Sequence, residues 1–120
     1  LTLLMECAFW MVMLRGVGKV ARAIEIYTHI IALDPTFVRA YLQRGWVHSI
    51  EGRHAEAIAD YTEAIRLEPN QPAGYAARGN VYEAMRQRPQ AAADFRQALE
   101  LGYTGFYTQW MKDYVWRYGR

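Results

Sequence analysis

The chain has 120 residues, the size of one domain. Its composition, 52% hydrophobic and 22% charged, is that of a soluble folded chain. A net charge of +2, with basic residues interleaved with acids along the chain, excludes the strong basic patch of a nucleic-acid or membrane surface.

The most apolar stretch comes first. Leu1 to Leu14 reads LTLLMECAFWMVML and carries one charge, Glu6. Fourteen residues are too few to span a bilayer as a helix. Ala21-Arg22-Ala23 resembles a small-residue cleavage site, but no basic segment precedes the apolar run as in a secretory signal. A buried first helix is therefore expected. A cytoplasmic setting follows, unless Leu1–Leu14 is the remnant of a signal or anchor, which would make the protein secreted or membrane-attached. Cys7, the single cysteine, excludes an internal disulfide and a thiolate metal cluster. It lies in this apolar run, where its thiol should be unreactive.

Gly16–Gly18 is expected to break the first helix. Val20 to Leu33 forms a second, with Ala23, Ile24, Tyr27, Ile30 and Ile31 at helical spacing. Asp34-Pro35-Thr36 ends it, and Thr36 is placed to cap the next helix. The third helix runs from about Phe37 to Ile50 and turns at Glu51-Gly52. The fourth covers about His54 to Leu67 and stops at Glu68-Pro69. Pro72 sits in the first turn of the fifth, which reaches about Met85. Pro89 opens the sixth, which runs to Leu101 with Gly102 as its C-terminal cap. Thr104 is placed to cap a seventh helix. There Phe106, Tyr107, Trp110, Met111, Tyr114 and Tyr118 fall at spacings of three and four and make one apolar stripe.

One interval runs through these elements. Tyr41, Arg44 and Gly45 return 34 residues later as Tyr75, Arg78 and Gly79. Ala57, Asp60 and Ala64 return as Ala91, Asp94 and Ala98. Gly52, Ala57, Tyr61 and Pro69 are preceded at the same step by Gly18, Ala23, Tyr27 and Pro35. A period of 34 with small residues at helix contacts and a proline after the second helix resembles the tetratricopeptide repeat (TPR) family. The resemblance covers about Leu4 to Tyr103 and is clearest in the second unit. Unit one departs from it, with Met11 and Ile30 where small residues belong, and Tyr103 stands where unit three would have its closing proline.

The resemblance implies an all-α, right-handed superhelix of three helix-turn-helix repeats. These would cover about residues 4–37, 38–71 and 72–103, within a single domain of residues 1–120. The segment from about 104 to 118 leaves the repeat register and reads as a capping helix over the last repeat, or as an aromatic contact surface.

Arg44 and Asp60 recur as Arg78 and Asp94, while unit one carries Trp10 and Ile26 at those places. The pair is ionic twice and apolar once, as side chains in contact would be. Bridges Arg44–Asp60 and Arg78–Asp94 are expected inside their repeats, and they make ligand contact by these arginines the weaker reading.

No catalytic constellation is present. His48 stands where unit three has Tyr82 and reads as a packing residue, His54 starts a helix and His29 lies on an outer face. None has a carboxylate or cysteine at metal-ligand spacing. The glycines follow the repeat and no strand precedes them, so a phosphate loop is unsupported. Neither a cofactor nor a metal is expected, nucleic-acid binding is not expected, and the chain is read as no enzyme.

What remains is a surface. The resemblance implies a concave groove lined by the first helix of each repeat, able to hold a peptide or partner protein as a scaffold or adaptor would. Its positions map to Met5, Ala8 and Val12 in unit one. Unit two supplies Arg39, Leu42, Trp46 and Ser49, and unit three supplies Ala73, Ala76, Asn80 and Glu83. Trp46 has Val12 and Asn80 as repeat equivalents, so the fold itself does not demand an aromatic there. Two readings of it stand, an exposed hot spot or a side chain packed under a neighbouring helix. Some family members hold an acidic chaperone tail with basic and amide residues. Those places carry Ala8, Val12, Gln43, Ala73 and Ala77 here, so no binding of such tails is expected. A second reading is self-association into a homo-oligomer through the first helix at Trp10 or the last at Phe106, Trp110 and Tyr114. A third makes the chain the recruiting fragment of a larger membrane-attached or secreted protein.

Overall fold

The computed structural model describes the backbone of residues 2–119 and the side chains of residues 18–119. Six helices follow one another, with no strand among the described residues: α1 (Thr2–Leu33), α2 (Val38–Ile50), α3 (His54–Leu67), α4 (Pro72–Ala84), α5 (Arg88–Glu100) and α6 (Thr108–Tyr118). Helices α2 and α3 form one hairpin, α4 and α5 a second, and α3 packs on α4 to join them. α1 lies against α2 at one end and α6 against α5 at the other. The chain is an all-α helical repeat.

The break expected at Gly16–Gly18 does not form. α1 is one helix of 32 residues. No proline precedes Pro35, and a helical glycine costs only about 1 kcal/mol where a proline costs about 3. A side chain added at Gly18 would meet nothing within 4 Å, so no close contact demands glycine there. Closing a hairpin would also have set bulky Met11 where the later repeats carry Gly45 and Gly79. Continuing the helical hydrogen bonds is the alternative the chain takes.

The later turns do close. Gly52 has φ 74° and Gly102 has φ 90°. After α2, the Arg53 N–H donates to His48 C=O and the Gly52 N–H to Ser49 C=O. After α5, Tyr103 and Gly102 donate in the same way to Ala98 and Leu99. This is the Schellman closure, with glycine in the left-handed conformation just past the helix. Arg86 takes that place after α4, with φ 60°. Its N–H donates to Glu83 and that of Gln87 to Tyr82. The closure is thus kept at a non-glycine residue, at a conformational cost.

Two expected caps are replaced. α2 starts at Val38 and has no side-chain cap, because Thr36 is engaged elsewhere. Its N–H and hydroxyl both donate to Asp34 Oδ1, at 3.1 and 2.7 Å, and these bonds hold the exposed Asp34 carboxyl below its usual pKa. α6 starts at Thr108, four residues beyond Thr104. The Gly105 N–H donates to Thr108 Oγ1 at 2.8 Å and folds the intervening turn.

α6 also keeps the repeat register that it was expected to leave. α2, α4 and α6 end at Ile50, Ala84 and Tyr118, a constant step of 34 residues. Val47 and Val81 are buried, and Val115, the next in the series, is half-buried. The cause lies in α5. It offers α6 the surface that α3 offers α4, with Phe95 for Tyr61 and Ala98 for Ala64, all buried. Where α2 and α4 turn Arg44-Gly45 and Arg78-Gly79 toward their own partner helices, α6 has exposed Lys112 and Asp113.

The core follows this packing. One cluster joins Ala57, Tyr61 and Val81. A larger one joins Ala76, Ala91, Ala92, Phe95, Ala98, Met111 and Tyr114. Helices approach closely only where side chains are small. A Cβ on Gly45 would stand 2.7 Å from Tyr61 Cε1, and one on Gly79 would stand 2.7 Å from Phe95 Cε1.

Candidate binding groove

The repeated arginines are bound inside the hairpins. Arg44 Nε donates to Asp60 Oδ2 at 2.9 Å and Nη2 to Oδ1 at 2.7 Å. Arg78 does the same with Asp94, at 2.8 and 2.8 Å. The remaining nitrogen of each fork reaches back to the preceding helix, Arg44 Nη1 to Thr28 Oγ1 at 3.1 Å and Arg78 Nη1 to Thr62 Oγ1 at 3.2 Å. Thr28 and Thr62 are themselves one repeat apart. Each arginine therefore ties its own hairpin and the hairpin to its neighbour. The aspartate bond holds each guanidinium above its ordinary pKa, against the opposing effect of burial. His48 is buried beside this pair, with Nε2 3.9 Å from Asp60 Oδ2 and Nδ1 unpartnered.

The corresponding apolar contact of unit one is not made within the chain. Trp10 and Ile26 lie on one continuous helix, so their backbones are about 24 Å apart along it. Ile26 is 50% exposed. The side chains of Met5, Cys7, Ala8, Trp10, Met11 and Val12 lie outside the described residues.

Cavities open between α2 and α4 and between α4 and α6. Trp46 on α2 is 56% exposed, not covered by a neighbouring helix. It lines two cavities. One, of about 360 Å³, includes Leu42, Gln43, Ala73 and Ala77; the other, of about 310 Å³, includes Ser49, His54, Ala77 and Asn80. Tyr61 closes the back of both, and its burial pushes its phenol pKa up. Arg39 is exposed and lines a further cavity with Tyr27, Phe37 and Gln43. A cavity of about 360 Å³ follows at the other end, between α4 and α6. It is lined by Ala76, Asn80, Phe95, Tyr103, Tyr107, Trp110 and Met111.

The candidate residues separate by their partners. Asn80 is exposed and stands at the rim of two cavities. The Ser49 hydroxyl is turned back on its own helix, donating to Trp46 C=O at 2.7 Å. Glu83 is half-buried and accepts the hydrogen bond of the Tyr114 hydroxyl. Burial, then that bond and the Glu83 charge, raise the Tyr114 pKa well above the tyrosine range.

Tyr114 is therefore not a self-association contact. It is 6% exposed, stacks edge-on against Phe95 at 5.2 Å between centroids, and belongs to the core. α6 sits in the repeat register, and this turns Tyr114 inward beneath α4 and α5. Trp110 is 45% exposed, packs edge-on to Phe95 at 5.5 Å, and faces the groove. Phe106 is 96% exposed and precedes α6.

The sequence mapped Met5, Ala8 and Val12 of α1 to the groove, and their side chains lie outside the described residues. It read the last helix as a cap or an aromatic contact surface, and α6 does pack on α5. Tyr107, Trp110 and Met111 were thus missed as groove residues. The available signal was the step of 34 that carries Arg39 and Ala73 to Tyr107, and Leu42 and Ala76 to Trp110. Among the described residues no group of three His, Cys, Asp or Glu side chains is placed to hold a metal. No described helix is long and apolar enough to cross a membrane.

Known proteins place this architecture. A TPR repeat family model matches residues 50–85, and a tetratricopeptide repeat model matches residues 26–59. Together they cover half of the chain. No curated protein sequence matches significantly. Among solved structures, the first TPR domain of Spaghetti (RPAP3), bound to the HSP90 peptide SRMEEVD, superposes with a TM-score of 0.74 at 24% identity, over 85% of this chain and 82% of that one. The Arabidopsis OM64 TPR domain gives 0.75 at 23% identity, over 86% and 85%. MamA gives 0.67 at 30% identity, over 72% of this chain and 47% of that one. The 34-residue period, the glycine-floored hairpins and these matches make the chain a member of the tetratricopeptide repeat family, a fold of protein-interaction modules.

Proposed function

We propose that this protein is a non-enzymatic interaction module that holds a peptide or an extended segment of a partner protein in the groove of α2, α4 and α6. The observation that carries this reading is Trp46. A tryptophan left 56% exposed beside two cavities, at a place where the repeat tolerates Asn80, is there for something other than packing. Exposed aromatics that become buried on binding are the usual energetic anchors of such surfaces.

The ligand differs from the acidic chaperone tail of the RPAP3 complex. Ala73 and Ala77 line the groove where a carboxylate would need basic clamps, Gln43 offers only a neutral amide, and no cationic side chain lines the cavity they share. Arg44 and Arg78 are committed to aspartates.

The test is selection from a displayed random-peptide library, followed by calorimetry with the enriched peptides. Trp46→Ala should weaken them at least about tenfold, roughly 1.4 kcal/mol, while far-UV circular dichroism stays unchanged. The SRMEEVD peptide should show no micromolar binding. Enriched peptides that bind the variant as tightly as the parent overturn the groove as the working surface.

A further inference from the structure

α1 carries a face that the later repeats cover. In α3 this face holds Ala57, Asp60 and Tyr61, which are between 0% and 5% exposed. Asp60 bonds Arg44 of α2, and the Tyr61 ring lies against Gly45 of α2. In α5 the same face holds Ala91, Asp94 and Phe95, buried to the same degree against α4. One repeat before α3, the second half of α1 sets Ala23, Ile26 and Tyr27 at these places. Ala23 and Tyr27 are only half-buried, and Ile26 is 50% exposed. A hollow of about 580 Å³ runs along this face, with Gly18, Ile26 and Ile30 in its lining. The segment that should lie there is about Leu4 to Leu14, one repeat before α2. It is the first half of the same continuous helix, so it runs away from this face and cannot fold onto it.

The repeat itself says what fits. Where α2 and α4 place the arginines that meet Asp60 and Asp94, the first segment places Trp10, and Ile26 stands for the acid. Both members of the pair are apolar together, so the two halves of α1 are complementary although one copy cannot join them. A second copy can. With two α1 helices laid antiparallel, the first half of each covers the second half of the other, and a two-fold axis makes both contacts at once. Midway between Trp10 and Ile26 stands Gly18, and the midpoint of Thr2–Leu33 falls between Val17 and Gly18. The two helices would therefore cross at their glycines, Gly16 and Gly18. In the single chain a Cβ on Gly18 meets nothing within 4 Å, so the glycine serves no contact there. At a crossing it lets two helices come close, because the side chains at the contact set the distance between axes. Beyond the crossing the axes diverge and leave room for Met11 and Ile30, the bulky residues that oppose a tight hairpin.

We propose that the chain pairs with a second copy of itself through α1, each copy laying its Leu4–Leu14 segment on the Ala23–Ile30 face of the other. The exchange completes the first repeat between two chains. It uses a surface separate from the groove, so the two readings stand or fall independently. Sedimentation equilibrium of the full chain over a range of concentrations tests it, on the parent, on Ile26→Asp, on Trp10→Arg and on an equal mixture of the two variants. The parent should be a dimer. Each variant sets a charge against an apolar partner, and its dimer should dissociate at least about tenfold more readily. Ile26 is half exposed in the single copy, so its variant keeps the fold, and far-UV circular dichroism verifies this for both. In the mixture the new arginine of one copy meets the new aspartate of the other, as Arg44 meets Asp60, and the dimer should return. A parent that stays monomeric at every concentration overturns the proposal. So does a dimer that neither substitution weakens, which would put the pairing elsewhere, as at the exposed Phe106. Variants that both dissociate and do not recover on mixing overturn the antiparallel exchange.

Discussion

Cutting the Arg44–Asp60 pair from either side should have unequal cost, and the inequality follows from burial. The Asp60 side chain is 7% exposed and that of Arg44 20%. Asp60→Ala leaves a guanidinium that still bonds Thr28 and reaches water. It loses two charge-assisted bonds, and a cost of about 2–3 kcal/mol is expected. Arg44→Met instead strands a carboxylate away from water and removes the tie to α1. Leaving one buried ion of a pair unmatched costs about 3–5 kcal/mol. Arg44→Leu with Asp60→Ile puts an apolar pair in place of the ionic one. Because a packed apolar pair often equals a buried ionic one, the double variant should return to within about 1 kcal/mol of the parent, apart from the lost Thr28 bond. Urea unfolding followed by far-UV circular dichroism measures all three. The reasoning fails if Asp60→Ala is the costlier single change, or if the double variant loses the sum of the two.

Three further outcomes are expected. Gly45→Ala should destabilise by about 1–3 kcal/mol by overpacking, despite alanine's better helix propensity, because its Cβ would sit 2.7 Å from the Tyr61 ring; thermal unfolding checks this. Arg86→Gly should stabilise by about 1 kcal/mol, since the left-handed conformation at φ 60° costs that much with a side chain and nothing with glycine; the melting temperature should rise by about 4 °C. The raised Tyr114 pKa makes stability fall above pH ~10, where the unfolded tyrosine releases its proton first and the folded one holds it. Tyr114→Phe should lose about 1 kcal/mol near neutrality and show a shallower alkaline decline when urea midpoints are compared at about pH 9 and 11.

The hairpins were legible because their determinants are local and repeat. Gly52 and Gly102 announce helix ends, Pro72 and Pro89 announce beginnings, and Gly45 and Gly79 mark where a ring lies across the backbone. The recurrence of Arg44 and Asp60 as Arg78 and Asp94 reported a contact across 16 residues without any structure. Each of these signals acts within one repeat, so the sequence alone determined the all-α repeat and its two inner hairpins.

The ends were decided only by tertiary packing. Gly16–Gly18 has the composition of a turn, yet a turn forms there only if helix packing outweighs the helical hydrogen bonds given up, and α1 carries bulky Met11 at the place where the later hairpins have Gly45 and Gly79. α6 looked unlike a repeat helix because Lys112 and Asp113 replace Arg and Gly on the face that α2 and α4 turn to their partners. Its other face meets the surface of Phe95 and Ala98, and that surface sets its register whatever the first face carries. The same event buries Tyr114, brings Tyr107 and Trp110 to the groove and doubles its cavity. Local propensity is written in the order of residues; which apolar face finds a matching surface is known only once the neighbouring helix is in place.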